Sequence, residues 1–165
     1  MTLAEAAAEA DVLAQAGDER ALATLRQQWD DELEGAARDR DYRVRAQAYR
    51  AIAQFRFRQK LELLRRGLED ESPAARGSAL IALEALSRGH PGDVNSFRGL
   101  LHELAAHDPN AAVRRLAVVC LRNGSPQRET IQLLDGIAES DDAEAELRKS
   151  AQAVAGALRK KAVAR

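Results

Sequence analysis

The chain has 165 residues, 45% of them hydrophobic but only 4% aromatic, with a formal net charge of −1. Its core must therefore be built from Ala, Leu, Val and Ile, which suits closely packed helices, and the whole-chain charge gives no ground for a nucleic-acid or an acidic target. A single cysteine excludes an intrachain disulfide.

Thr2 followed three residues later by Glu5 reads as a capping box, and Leu3, Ala6, Ala7, Ala10, Leu13 and Ala14 follow at helical spacing. The opening stretch MTLAEAAAEADVLAQ places acids where a secretion signal needs bases, and no apolar run approaches membrane-spanning length, so we expect a soluble cytoplasmic chain. Gly17-Asp18 ends the first helix and caps a second, whose buried stripe is Leu22, Leu25, Trp29 and Leu33. A turn at Asp39 leads to a helix expected from Asp41 to Phe57. The stretch FRFRQKLELL then holds no Gly or Pro, so a break near Arg58 rests on periodicity alone.

A short helix follows around Leu61, Leu64 and Leu68, and Ser72-Pro73 supplies an N-cap and a first-turn proline for the next. SRGHPGD reads as the longest loop. Leu100, Leu101 and Leu104 face inward, the turn DPN starts another helix, and Asn123-Gly124 stops it. Ser125-Pro126 is expected to start the next helix, with Ile131, Leu134 and Ile137 packing on Val154 and Leu158 of the last.

One pattern recurs four times along these elements. An aspartate is followed six residues later by an arginine, with a small or apolar residue just before it and an alanine three after. The copies are Asp39/Val44/Arg45/Ala48, Asp70/Ala75/Arg76/Ala79, Asp108/Val113/Arg114/Ala117 and Asp142/Leu147/Arg148/Ala151. The arginines lie 31, 38 and 34 residues apart, a period of stacked helical repeats.

The four cores DRDYRVRAQAYRAI, DESPAARGSALIAL, DPNAAVRRLAVVCL and DAEAELRKSAQAVA resemble the HEAT repeat family. The resemblance implies an all-α fold, a right-handed α-α superhelix of about four helix pairs plus an N-terminal capping helix. We expect one domain over 1–165, with the capping helix at 1–17 and repeats at 18–58, 59–89, 93–124 and 125–165. It further implies that Asp39, Arg45, Asp70, Arg76, Asp108, Arg114, Asp142 and Arg148 form a structural ladder between repeats, the carboxylates also meeting amides at the start of each second helix. The recurring alanines are expected where the helices of a pair come closest.

Catalytic chemistry finds little footing. His102 and His107 in HELAAH are five apart, where zinc-protease histidines need four, and the one His-Glu pair is too few for the HEAT-type iron hydroxylases it resembles. Surface histidines near a helix end are the plainer reading. Cys120 shares a face with Val113, Ala117 and Leu121 and reads as core. The ten glycines are scattered singly, so no phosphate-cradling loop exists. We expect no catalytic residue, metal, cofactor or small-molecule substrate.

The surface is more informative. The second helices, taken as 41–58, 73–88, 110–122 and 143–165, hold 16 Lys/Arg and 4 Asp/Glu, while the remainder holds 9 and 22. Setting the four ladder arginines against their aspartates leaves +8 on the side these helices line. Helical geometry places Arg50, Ile81, Val119 and Ala153 in one outward row and Gln47, Ser78, Leu116 and Ser150 in another. The flanking rows hold Ala46, Gly77, Arg115 and Lys149, and Ala53, Glu84, Arg122 and Gly156.

An apolar centre at Ile81, Leu116 and Val119, ringed by Arg50, Glu84, Arg115, Arg122 and Lys149, has the anatomy of a protein interface. The leading expectation is a non-enzymatic scaffold that holds an acidic, partly apolar helix or peptide on a concave face. The alternative is a nucleic-acid binder like the HEAT-like DNA glycosylases, with Arg50, Arg56, Arg115, Lys149 and the Arg159-Lys160-Lys161 run on phosphates. Trp29, Tyr42, Tyr49, Phe55 and Phe57 cluster in the first repeat and read as core rather than as stacking platforms.

Overall fold

The computed structural model describes residues 1–164, and among them there are ten helices, one 3-10 turn and no strand. Two compact units divide the chain, 1–86 and 87–165.

The first unit opens with α1 (Leu3–Ala16), α2 (Glu19–Ala36) and α3 (Tyr42–Gln54), each packed on the other two. Local chemistry sets their ends. Thr2 and Glu5 close a reciprocal capping box. Gly17, at φ 74°, then ends α1 as its own N–H reaches Ala14 and that of Asp18 reaches Leu13. Asp18 caps α2 by accepting from Ala21 N–H at 3.1 Å.

The helix α3 stops three residues earlier than its apolar spacing suggested. Arg56 N–H meets the Ala53 carbonyl and Phe57 N–H the Ile52 carbonyl, the same two bonds that end α1. Arg56 stands at φ 52° where a glycine usually sits, so a left-handed residue makes the break that periodicity placed near Arg58. The flanking Phe55 and Phe57 are buried, their rings tilted at 6.5 Å.

A 3-10 turn (Arg58–Lys60) leads into α4 (Leu61–Leu68), and α5 (Pro73–Ser87) follows, starting at its proline as expected. Gly67 of α4 lies against α5 so closely that an added Cβ would sit 2.7 Å from the Cβ of Ala79. Tyr49, fully buried, fills the other side of that contact.

The second unit holds α6 (Pro91–Asn95), α7 (Arg98–His107), α8 (Ala111–Leu121), α9 (Arg128–Ala138) and α10 (Ala145–Val163). Here α7 packs on α8 and α9, and α10 on α8 and α9, so that α7 and α9 adjoin each other and α8 and α10 do likewise. The expected long loop instead contains α6, started by Pro91. Asn95 of α6 binds Ser125 through both its amide nitrogen and its carbonyl oxygen, at 2.9 and 3.0 Å. That contact explains why Ser125-Pro126 does not start a helix: Ser125 is held by Asn95, and α9 begins only at Arg128. Phe97, an aromatic outside the first-repeat cluster, is buried in this unit.

All four recurring alanines are fully buried, as is Cys120. The rest of the core follows the expected stripes. Leu22, Leu25, Leu33, Leu64, Leu68, Leu101, Leu104, Leu134, Ile137, Val154 and Leu158 are buried, while Trp29, Leu61, Leu100 and Ile131 are half-buried.

Candidate functional site

The recurring acids and bases are built into the turns. Asp39, Asp70 and Asp108 each accept the N–H two residues on, from Asp41, Ser72 and Asn110, at 2.8, 2.9 and 2.9 Å. Those three donors are the N-caps, whose side chains in turn accept from the N–H groups of Arg43, Ala75 and Val113. In these three copies the aspartate thus orders the capping residue and is not the cap itself. Arg45 and Arg76 close their own turns from the other side, on the carbonyls of Asp39 and Arg40 and of Asp70 and Glu71 respectively.

Arg45 also reaches the next repeat. Its guanidinium grips Asp70 with two bonds, 2.8 and 2.9 Å, and both side chains are nearly buried. Burial alone would push the Asp70 carboxyl up, but Arg45 and the Ser72 N–H outweigh it and hold it below the usual range. Arg114 behaves differently, donating from Nε to the Ala105 carbonyl at 2.8 Å. Asp142 is exposed and Arg148 half-buried, and no ion pair joins Arg114 to Asp142 among the described residues.

A second set of contacts was not foreseen. Arg26 of α2 donates to the carbonyls of Phe55 and Arg56, and Arg56 in turn binds Asp11 of α1 at 2.7 Å. Arg58 reaches the Leu86 carbonyl near the end of α5, Arg98 that of Ser125, and Lys161 those of Arg122 and Gly124 beyond α8. Cations therefore sit where second helices leave carbonyls unsatisfied and their dipoles point negative charge outward. No spacing rule could have found them, because each partner, a backbone oxygen or for Arg56 the Asp11 carboxylate, is more than 25 residues away. Lys60 joins α2 to the 3-10 turn, bound to Asp30 and Glu34 over the Phe57 ring. The Lys60 ammonium and Arg38 hold the Glu34 carboxyl below its ordinary value.

These bonds change the surface charge. Of the cations assigned to phosphates, Arg56 is on Asp11, Arg159 on Asp135 and Lys161 on carbonyls. Lys149 lies 3.7 Å from Glu146, and Arg50 donates to Ser78 Oγ at 3.1 Å. Arg115 and Arg122 are exposed along α8.

Within the first unit, Ile81 is 48% exposed on α5, Glu84 is half-buried and Arg50 is exposed. Ser78, Ala46 and Gly77, placed in outward or flanking rows by helical geometry, are buried, because neighbouring helices cover more of α3 and α5 than an isolated helix reveals. Within the second unit, Leu116 and Val119 are half-buried on α8, with Arg115, Arg122 and Lys149 exposed on the same pair of helices.

His102 is not a surface histidine. Its Nε2 lies 2.8 Å from Oγ1 of the buried Thr130, joining α7 to α9, and burial pushes its imidazole below the ordinary value. His107 is exposed. Among the described residues no group of three His, Cys, Asp or Glu is disposed to hold a metal, and no helix is long and apolar enough to cross a membrane.

Residues 31–103 match the family model of HEAT repeats. No curated protein matches the sequence. HEAT repeats generally mediate contacts between proteins and are typically non-enzymatic scaffolds. The matched stretch contains α3, which carries Arg45, and the turn before α5, which carries Asp70, so over residues 31–103 sequence and geometry agree on repeats of the HEAT type.

Proposed function

We propose that this chain is a non-enzymatic protein-binding module whose second helices take an acidic, partly apolar helix or peptide. The observation that carries the reading lies in the second unit. Leu116 and Val119 form a half-buried apolar strip on α8, bordered by exposed Arg115, Arg122 and Lys149. An apolar centre that is already partly dry, with cations at its rim, favours a partner helix with acids beside its apolar stripe. Arg50, Ile81 and Glu84 are the corresponding residues of the first unit.

Nucleic acid is less well supported, since three of the seven cations that would meet phosphates, Arg56, Arg159 and Lys161, are engaged within the fold. Affinity capture from the native host, with the bound protein identified by mass spectrometry and its affinity measured, tests the reading. Val119→Asp is expected to abolish binding while circular dichroism stays helical, and Arg115→Glu with Arg122→Glu is expected to weaken it. Full affinity in a folded Val119→Asp protein overturns the proposal. A log–log salt slope near −0.9 per contacted phosphate, seen with duplex DNA, would point to nucleic acid instead.

A further inference from the structure

The second unit has another surface, on the side of the α8–α9 loop. Two depressions of about 430 and 380 Å³ meet at Pro126, which lines both. Their apolar surface comes from Pro91, Pro126, Ile131, Ala162 and Ala164. Arg128, Arg159 and Lys161 line them as well, against one acid, Asp135. Asp135 is already bound by Arg159, and Lys161 is fixed on the carbonyls of Arg122 and Gly124, so its charge has a set position.

We propose that this trough is a docking site for an acidic peptide segment with apolar side chains, distinct from the α8 strip. Apolar side chains would fill the depressions on either side of Pro126, and carboxylates between them would meet Arg128 and Lys161. Charge decides the partner class: with Arg159 and Asp135 paired, Arg128 and Lys161 leave the lining net positive, since the carbonyls that hold Lys161 do not neutralise it, so a basic segment would be repelled and an acidic one retained. Gln127 provides no side-chain cap to α9, which leaves the positive end of that helix beside Arg128 and adds to the same preference.

The probe is a phage-displayed library of random dodecapeptides, selected on the whole protein and counter-selected on an Arg128→Glu/Ala162→Glu variant. Both side chains are exposed, so the variant is expected to melt like the parent; if it does not, Arg128→Ala alone replaces it. Enriched peptides are expected to combine Asp or Glu with large apolar residues. They should bind the parent about tenfold or more tighter than the variant, and bind Val119→Asp as well as the parent. Enrichment of peptides without acids, or equal affinity for parent and variant, overturns the trough. Acidic peptides lost with Val119→Asp but kept by the trough variant would also overturn it while leaving the α8 strip standing.

Discussion

A single residue, Gly67, shows how closely the first unit is packed. Gly67 is almost the last residue of α4, so replacing it by alanine gains less than the roughly 1 kcal/mol that alanine offers over glycine inside a helix. Against that gain, the new methyl would meet Ala79 Cβ at 2.7 Å and two ring carbons of Tyr49 at 3.0 Å, neither of which is the yielding end of a flexible chain. Overpacking of this kind costs about 1–3 kcal/mol, so the steric term wins. Gly67→Ala is expected to lower the urea midpoint by a net ~1–2 kcal/mol of stability with an unchanged slope. A midpoint equal to or above the parent's would show that α4 and α5 can move apart freely.

At the scale of the helix, Arg56 is the informative case. A left-handed arginine costs on the order of 1 kcal/mol, yet its two terminal bonds match those that Gly17 makes at the end of α1. Arg26 offsets the cost by holding both exit carbonyls, at 2.7 and 3.1 Å, and Phe55, whose carbonyl takes the shorter bond, is fully buried. Arg26→Met keeps the apolar stem and removes the donors, so it should destabilise by about 1–3 kcal/mol, the cost of leaving a buried carbonyl unmet. Arg26→Lys should recover part of that loss. Equal chemical-denaturation curves for Met and Arg would remove the clamp from the account.

The same helix marks the boundary of what the residues could tell in advance. The recurring Asp, Arg and Ala were legible because their roles are local and repeat at fixed spacing. Gly17 was legible because glycine itself announces a left-handed turn. Arg56 was not, since its conformation depends on Arg26 and Asp11 from other helices. The same reason makes the sequence count of +8 on the second helices too generous. Arg56, Arg159 and Lys161 look free on a helical wheel and are bound once the helices are assembled. The α8 strip was readable as a row of residues, while its half-burial depended on how α10 lies beside it.

Across the whole chain, the two units carry different acid-sensitive contacts. In 87–165 the group is His102, faced by Thr130 and Glu129 of α9 and by Arg98 of its own helix. Burial and Arg98 disfavour its charged form more than Glu129 favours it, so its folded pKa lies below the unfolded ~6.5. The unfolded chain then takes up the proton first, and stability present above about pH 6.5 is lost as pH falls through the folded value. In 1–86 the groups are Glu34, Asp41 and Asp70, each lowered by its cations, whose contribution is present above the unfolded carboxylate range and lost only below about pH 4.5. Melting followed by circular dichroism should therefore fall in two stages, one that begins as pH drops through about 6.5 and ends at the folded His102 value, and another below about pH 4.5. His102→Gln should flatten the first step and leave the second, while Asp70→Asn should leave the first and shrink the second to the share of the other lowered carboxylates, because protonation of the parent carboxyl progressively erases what the amide already lacks. A first step that survived His102→Gln would have to come from outside the α7–α9 contact, and the half-buried histidine would lose its place as the link between those helices.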